Sequence, residues 1–285
     1  MEITIAVLAG SLSTLLLVVV YLADRYEREP IELIQDSFLV GLVAQLALIL
    51  LRWAATGDAV WSGPWMLVTA VGLALAMPYR LAGESEVDER FDGIVYTVAV
   101  AGGAACAIHL NNLPWFVATS PHHAAMAPGS EPDLRDLIII FTGSSDLTAE
   151  LGRGVVLVLI AVLVGAVVGV LQLRGTRTWR TTAACVAVAA GAGSVDLLLD
   201  GGWWWRAILV ALAIGVAVSI KRRSVFRRSP EIPERDVVVL GFKTALVVFG
   251  AALLATVLLQ AVIEQPQIEG PGAPAARHAP EAGVR

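Results

Sequence analysis

The sequence predicts an all-α fold, a polytopic transmembrane helical bundle of about eight helices. Of the 285 residues, 57% are hydrophobic and 16% are charged, whereas a soluble domain of this size carries about a quarter charged residues. The mean hydropathy is +0.74. The apolar residues form long blocks separated by short charged segments. This pattern is typical of a chain that crosses a bilayer several times.

The apolar blocks predict where the chain crosses the membrane, because a helix needs about 20 apolar residues to span the hydrocarbon core. Eight spans are predicted, near residues 3–23, 37–55, 62–79, 93–113, 154–173, 181–199, 203–220 and 236–262. The third and seventh are short, and the eighth is long enough to tilt or to extend past the membrane. Met1 and Glu2 provide no basic leader, so the first block is predicted to be a span rather than a cleavable signal peptide.

Two segments are predicted not to span. Residues 111–152 contain four prolines and one short apolar run, 137–141, which is too short to cross a bilayer. Residues 265–285 are rich in Pro, Ala, Gly and Glu, which predicts a disordered extracytoplasmic tail. The sequence therefore divides into a transmembrane domain, residues 1–264, and this tail.

The basic residues in the connections predict the orientation, because cytoplasmic loops collect Lys and Arg. One side of the bundle carries 13 of them: Arg25, Arg28, Arg80, Arg90, Arg174, Arg177, Arg180, Lys221, Arg222, Arg223, Arg227, Arg228 and Arg235. The other side carries 6: Arg52, Arg135, Arg153, Arg206, Arg277 and Arg285. The first side is predicted to face the cytoplasm, so both termini lie outside. At the outer helix ends, a tryptophan can keep its N–H in contact with water; the tryptophans predicted there are Trp53, Trp61, Trp65, Trp115 and Trp203–Trp205.

The composition also restricts the partners and ligands. The chain has no general basic patch and no nucleic-acid module, so binding to DNA or RNA is not expected. His122 and His123 are adjacent in a proline-rich loop without the spacing of a metal site, and no cysteine lies near them. We expect no metal and no cofactor, and the lipid bilayer is the one partner that the composition itself implies.

Two segments at the predicted cytoplasmic edge carry a family resemblance. The first follows the first span and reads Asp24-Arg25-Tyr26-Glu27-Arg28-Glu29-Pro30. The second begins the fourth span and reads Phe91-Asp92-Gly93-Ile94-Val95-Tyr96. They resemble the "D-R-Y-E-x-E-P" connection and the "D-G-I-V-Y-G" helix start of the PrsW family of intramembrane proteases. The resemblance covers about residues 1–220, with only these two stretches specific, and it implies a PrsW-like bundle in the bacterial cytoplasmic (inner) membrane.

The resemblance also implies a proteolytic site, from which this sequence departs. Such a site has a Glu-Glu pair in the third span, a Glu-Asn step near the end of the fourth and histidines in later spans, which would hold a metal or activate a water molecule. The aligned positions are occupied by Thr69, Ala70, Ile108 and Ala192. No Asp or Glu lies between Asp58 and Glu84. We therefore expect a proteolytically inactive relative that keeps the scaffold.

His109 and Asp196 are the polar residues that could line a remnant of the active-site cavity. The alternative for His109 is an imidazole that is hydrogen-bonded at the membrane interface. Asp196 lies inside the sixth span, where a carboxylate is costly and usually faces a cavity or a partner. Asp92 has a simpler interpretation as the N-cap of the fourth span. Gln45, and Gly165 with Gly169, are interpreted as packing devices between helices.

Three functions remain open at this stage. The leading hypothesis is a PrsW-like integral membrane protein that acts as an inactive scaffold, binding a membrane-protein partner or a transmembrane segment without cutting it. The second is an active intramembrane protease with a relocated site that uses His109, Asp196 or the outer-loop histidines. The third is a transporter or channel, although no internal repeat is visible and only Asp196 and Lys243 are candidates for buried charges.

The predicted orientation can be tested by cysteine labelling with a membrane-impermeant reagent. A cysteine at Ser130 is expected to be modified from the outside, and a cysteine at Ser224 is expected to be protected, because the basic residues concentrate beside Ser224. The reverse pattern would contradict the orientation.

Overall fold

The computed structural model describes residues 31–57, 61, 63–82, 90–119, 145–199 and 203–223. This part of the chain is all-helical, and its helices are α1 Ile31–Thr56, α2 Gly63–Leu81, α3 Asp92–Thr119, α4 Ser145–Gln172, α5 Thr178–Leu198 and α6 Trp203–Arg223. They correspond to the predicted second to seventh spans. The all-α, multi-pass prediction is thereby confirmed for the described residues.

Helices α1 to α5 are long and apolar enough to cross a membrane, and α6 contains a shorter apolar stretch, Trp204–Ile220. The spans near 3–23 and 236–262, the tail 265–285 and the segment Asp24–Pro30 lie outside the described residues. The number of eight spans therefore stays a prediction.

Helix extends into both edges of the predicted non-spanning segment 111–152, while the candidate spans stop at Asn112 and begin again at Arg153. Helix α3 continues through Pro114 to Thr119, and α4 begins at Ser145. The apolar blocks marked only the part of each helix that suits the hydrocarbon core. A helix can continue beyond that core, and one proline removes a single backbone hydrogen bond without ending the helix in every case.

Helix α3 lies at the centre of the bundle. Its segment Asp92–Asn112 is entirely buried. Helices α1 and α4 are its main neighbours, while α2 packs chiefly on α5, and α4 also contacts α2, α5 and α6. Helix α3 therefore connects α1 on one side with α4, and through α4 with α2, α5 and α6, on the other.

Glycines let α3 and α1 touch through their backbones. A Cβ atom at Gly103 of α3 would collide with the carbonyl oxygen of Phe38 and would lie 2.7 Å from the amide nitrogen of Leu42. A Cβ atom at Gly41 of α1 would collide with the carbonyl oxygen of Val100. Small residues of this kind permit the close approach on which helix association in lipid depends.

A second set of glycines joins α3 to α4. A Cβ atom at Gly93 would lie 2.5 Å from the carbonyl oxygen of Gly165 and 2.7 Å from the amide nitrogen of Gly169. The small-residue pair predicted from the four-residue spacing of Gly165 and Gly169 is confirmed as a packing device. Gly93, at the start of the family-like helix motif, is its counterpart.

Polar contacts link helices at one end of the bundle. Gln172 Nε2 donates to the carbonyl oxygen of Pro78 at 2.6 Å, and Arg80 Nη2 donates to Ser37 Oγ at 3.0 Å. We call this the Pro78 end, and the opposite one, where α2 and α6 begin, the Trp61 end. The predicted orientation places the Pro78 end in the cytoplasm.

The connection between α4 and α5 is a tight turn at the Pro78 end. Gly175 has a positive φ of 67°, the left-handed conformation that glycine adopts without strain. The amide of Gly175 donates to Gln172 O at 2.8 Å, and the amide of Thr176 donates to Leu171 O at 3.0 Å. These are the two bonds of a Schellman motif, which ends α4 and reverses the chain.

The glycine contacts predict a large difference in thermal stability between two Gly→Ala variants. Gly103→Ala places a methyl group against the backbone of α1, so we expect a loss of about 1–3 kcal/mol of stability, as for other overpacked sites. Gly191→Ala is the matched control, because nothing lies within 4 Å of its added Cβ. Alanine also favours the helix there.

The measurement is the thermal midpoint of each purified variant in the same detergent. Equal midpoints for Gly103→Ala and Gly191→Ala would contradict the backbone contact between α1 and α3.

Candidate functional site

A buried polar cluster at the Trp61 end joins α1, α2 and α3, and its centre is a contact between Asn112 and Trp61. Asn112 Oδ1 accepts from the Trp61 amide at 2.9 Å, and Asn112 Nδ2 donates to the Trp61 carbonyl oxygen at 2.9 Å. Asn111 Nδ2 also donates to Asn112 Oδ1 at 2.9 Å. One amide side chain thus satisfies both backbone groups of Trp61, which is 1% exposed.

The side chain of Trp61 continues this cluster towards α1 and α2. Its indole Nε1 donates to Thr69 Oγ1 at 3.1 Å. Thr69 Oγ1 lies 3.0 Å from Gln45 Oε1 and 3.1 Å from the Trp65 carbonyl oxygen, both of which can accept its hydroxyl hydrogen. The prediction that Gln45 bonds across helices is confirmed. The prediction that the Trp61 N–H contacts water is wrong, because the Thr69 hydroxyl inside the bundle accepts it.

Arg52 of α1 lies over the aromatic part of the cluster. Its Cζ is 5.8 Å from the ring centroid of Trp61 and 5.0 Å from that of Trp65. The two rings are 5.3 Å apart. A guanidinium at this distance is attracted to the face of an indole ring. Arg52 is 8% exposed, so the cation is held inside the cluster.

His109 occupies the other side of α3, against α4. A Cβ atom at Gly154 would collide with His109 Nε2, so glycine leaves the space that the imidazole fills. The side chain is 1% exposed. Neither imidazole nitrogen has a hydrogen-bond partner within the described part of the chain. The described residues therefore offer no hydrogen-bond partner for the alternative interpretation, an imidazole that is hydrogen-bonded at the membrane interface.

Asp196 lies elsewhere, at the contact of α5 with α6. Its Oδ1 is 3.9 Å from Arg206 Nε, and both side chains are partly buried. The adjacent Leu197 approaches Gly63 at the start of α2, which places Asp196 near the Trp61 end. The predicted remnant cavity would bring His109 and Asp196 together. In the described contacts, His109 packs against Gly154 of α4, whereas Asp196 pairs with Arg206 of α6.

The four positions aligned with the family's catalytic residues are part of the packed interior. Ala70 and Ile108 belong to the buried core, and Ala192 is partly buried against it. Thr69 is the one member of the set in the polar cluster. Among the described residues, no group of three or more His, Cys, Asp and Glu side chains is close enough to hold a metal ion.

The described family-like motif has a structural role at the Pro78 end. Helix α3 begins at Asp92, so Asp92 lies in the first turn and the residue before it, Phe91, takes the capping position predicted for Asp92. The Phe91 carbonyl oxygen accepts from the amides of Ile94 and Val95. Asp92 and Tyr96 are buried, and Gly93 forms the contact with α4.

Sequence reasoning missed the role of Asn112. The available signal was a pair of asparagines, Asn111 and Asn112, near the end of an apolar span, where buried amides need hydrogen-bond partners. The partner, Trp61, lies 51 residues away in the sequence. The bonded cluster residues are amides, a hydroxyl and an indole, whose hydrogen bonds link α1, α2 and α3.

Comparisons with known proteins return no similar protein. No family model matches the chain, and neither a curated protein nor a solved structure does.

The cluster predicts that Asn112 stabilises the fold. Asn112→Leu keeps a similar volume but leaves the Trp61 amide and carbonyl groups without their partner. We expect a cost on the order of 2 kcal/mol or more, because each buried unsatisfied group costs about 1–3 kcal/mol.

Thr97→Val is the matched control on the same helix, because Thr97 is buried and its hydroxyl has no partner in the described structure. Thermal unfolding in detergent should separate the two variants. If Thr97→Val destabilises the protein as much as Asn112→Leu, the Trp61 contact is not the stabilising one.

Proposed function

We propose that this chain is a PrsW-like integral membrane protein that has lost proteolytic chemistry and acts as a scaffold, binding a transmembrane segment or a membrane-protein partner without cutting it. The proposed location is the bacterial cytoplasmic membrane, with about eight spans and both termini outside. The residues at the aligned catalytic positions, and the contacts that they make, carry this proposal.

Those positions hold groups that cannot perform the family's reaction. Peptide hydrolysis needs a carboxylate or imidazole as general base, or ligands for a metal that activates water. Ala70, Ile108 and Ala192 offer only alkyl groups, and they pack in or against the core. The Thr69 hydroxyl is engaged with Trp61 and within reach of Gln45 and the Trp65 carbonyl. In this interpretation, packing and hydrogen bonds occupy the space of the former site.

A binding role also needs a surface that another helix can approach from the bilayer. Helix α5 exposes Ala183, Ala187 and Gly191 at four-residue spacing. Helix α6 does the same with Ala207, Ala211 and Gly215, and nothing lies within 4 Å of a Cβ added at Gly191 or Gly215. Rows of small residues permit close helix approach in lipid, as the proposed binding role requires.

The proposal is tested with the purified full chain in liposomes that contain single-pass transmembrane segments tagged at both ends. We expect no separation of the tags beyond that seen with a His109→Ala, Asp196→Asn double variant. Cleavage by the unaltered chain that the double variant loses would instead establish a protease with a relocated site. Solute flux into the same liposomes would favour a transporter or channel.

The binding half of the proposal has its own test in cells. A photo-crosslinking residue at Ala211 is expected to capture an intact membrane protein, identified by mass spectrometry. The matched control is Leu51, an exposed apolar position on α1. Equal adducts at both positions, or adducts with shortened proteins, would argue against a non-cutting binder at this face.

A further inference from the structure

An apolar groove of about 560 Å³ lies between α4, α5 and α6. On α4 the lining extends from Leu163 to Leu171, and on α6 it extends from Leu212 to Ile220. The wall on α5 is formed by Ala184 and Val188. Apart from the Ser219 hydroxyl, the lining side chains are hydrocarbon, so the groove suits a hydrocarbon occupant.

The groove has the length of one lipid leaflet. Leu171 lies eight positions after Leu163, and Ile220 lies eight positions after Leu212, which corresponds to a rise of about 12 Å at 1.5 Å per residue. Half of a typical hydrocarbon core is about 15 Å thick. The lining residues lie in the halves of the three helices nearer the Pro78 end, so an acyl chain inserted from that leaflet could lie along the groove.

Basic residues lie next to the groove-lining segments in the sequence, at the Pro78 end, and we name them the basic collar. Its members are Arg174, Arg177, Arg180, Lys221, Arg222 and Arg223. Arg180 is in register with the groove lining of α5, four residues before Ala184, whereas Arg174 lies in the turn that follows α4 and Arg223 is the last residue of α6. Residues three or four apart share one face of a helix. The chain positions of the collar lie at the ends of α4, α5 and α6 that are nearest the Pro78 end.

The groove-lining segments carry charge of one sign. Residues 163–188 and 212–223 contain no Asp or Glu, so no carboxylate in these segments neutralises the collar. Trp179 is 57% exposed beside it, and Arg180 Cζ lies 5.3 Å from the centroid of its ring. An exposed tryptophan is typical of the level of the lipid headgroups.

We propose that this groove binds one anionic phospholipid, with an acyl chain along the apolar wall and the phosphate at the basic collar. Basic pockets between transmembrane helices at the cytoplasmic side bind anionic headgroups, and the hydrocarbon wall adds the burial of apolar surface. A free phosphate would use only the collar, and an apolar helix would use only the groove. This inference does not depend on the proposed scaffold function.

The experiment is a titration of the purified full chain in detergent, followed by native mass spectrometry. The probes are phosphatidylglycerol and phosphatidylcholine with identical acyl chains, and glycerol 3-phosphate as the headgroup without chains. We expect one tightly bound phosphatidylglycerol, with weaker retention of phosphatidylcholine and of glycerol 3-phosphate. Arg174→Gln combined with Arg180→Gln should weaken phosphatidylglycerol binding by roughly tenfold. Arg80→Gln should not, because Arg80 is bonded to Ser37 and lies on α2, which contributes no residue to the groove lining.

A second set of variants tests the groove itself. Ala184→Leu fills the wall and should reduce binding of the lipid, while Ala183→Leu, on the exposed neighbouring position, should leave it unchanged. Val188→Phe provides an independent filling variant if Ala184→Leu does not yield folded protein. Equal binding of the two lipids, or tight binding of glycerol 3-phosphate alone, would overturn the proposal. A lipid-free dimer would also overturn it. So would a monomer without bound lipid, the result expected if the predicted span 236–262 fills the groove.

Discussion

The fold depends on backbone contact between the central helix and its two neighbours. At Gly103 and Gly41, α3 and α1 touch without intervening side chains, and at Gly93 and Gly165, α3 and α4 do so. Lipid tails are as apolar as leucine, so helices in a bilayer gain little from burying hydrocarbon against each other. Close approach gives them van der Waals contact instead. With α3 held on both sides, the remaining helices can assemble around it.

The polar cluster adds a constraint on the rotation of each helix about its own axis. Van der Waals contact between smooth helices does not by itself fix their rotation, whereas Asn112 must face Trp61 to satisfy its amide and carbonyl groups. Thr69 then links this contact to Gln45 on α1. Thr69, which the sequence resemblance aligns with a catalytic carboxylate, is part of a hydrogen-bonded connection. An ionised carboxylate at that position would need a cation or a water molecule as its partner, because an unpaired buried charge is costly.

The sequence predicted the helices better than their arrangement. Apolar blocks located the second to seventh spans, and the spacing of Gly165 and Gly169 identified a true helix contact. Hydropathy could not reveal that α3 is central: α4 is the more apolar helix, yet α3 is the one that is entirely buried. Lipid and protein interior are equally apolar, so the same residue types suit both. Trp61 was misplaced for a different reason: Asn112, which binds its backbone, is 51 residues away in the sequence, and its ring alone resembled an interfacial anchor.

The left-handed Gly175 has a consequence for how the protein responds to salt. By reversing the chain within a few residues, it gathers Arg174, Arg177 and Arg180 into one short turn and its first following helical turn. Such cations repel one another, and dissolved ions screen repulsion beyond about 10 Å at 0.1 M salt. The turn should therefore tighten as ionic strength rises, unlike a contact held by an ion pair.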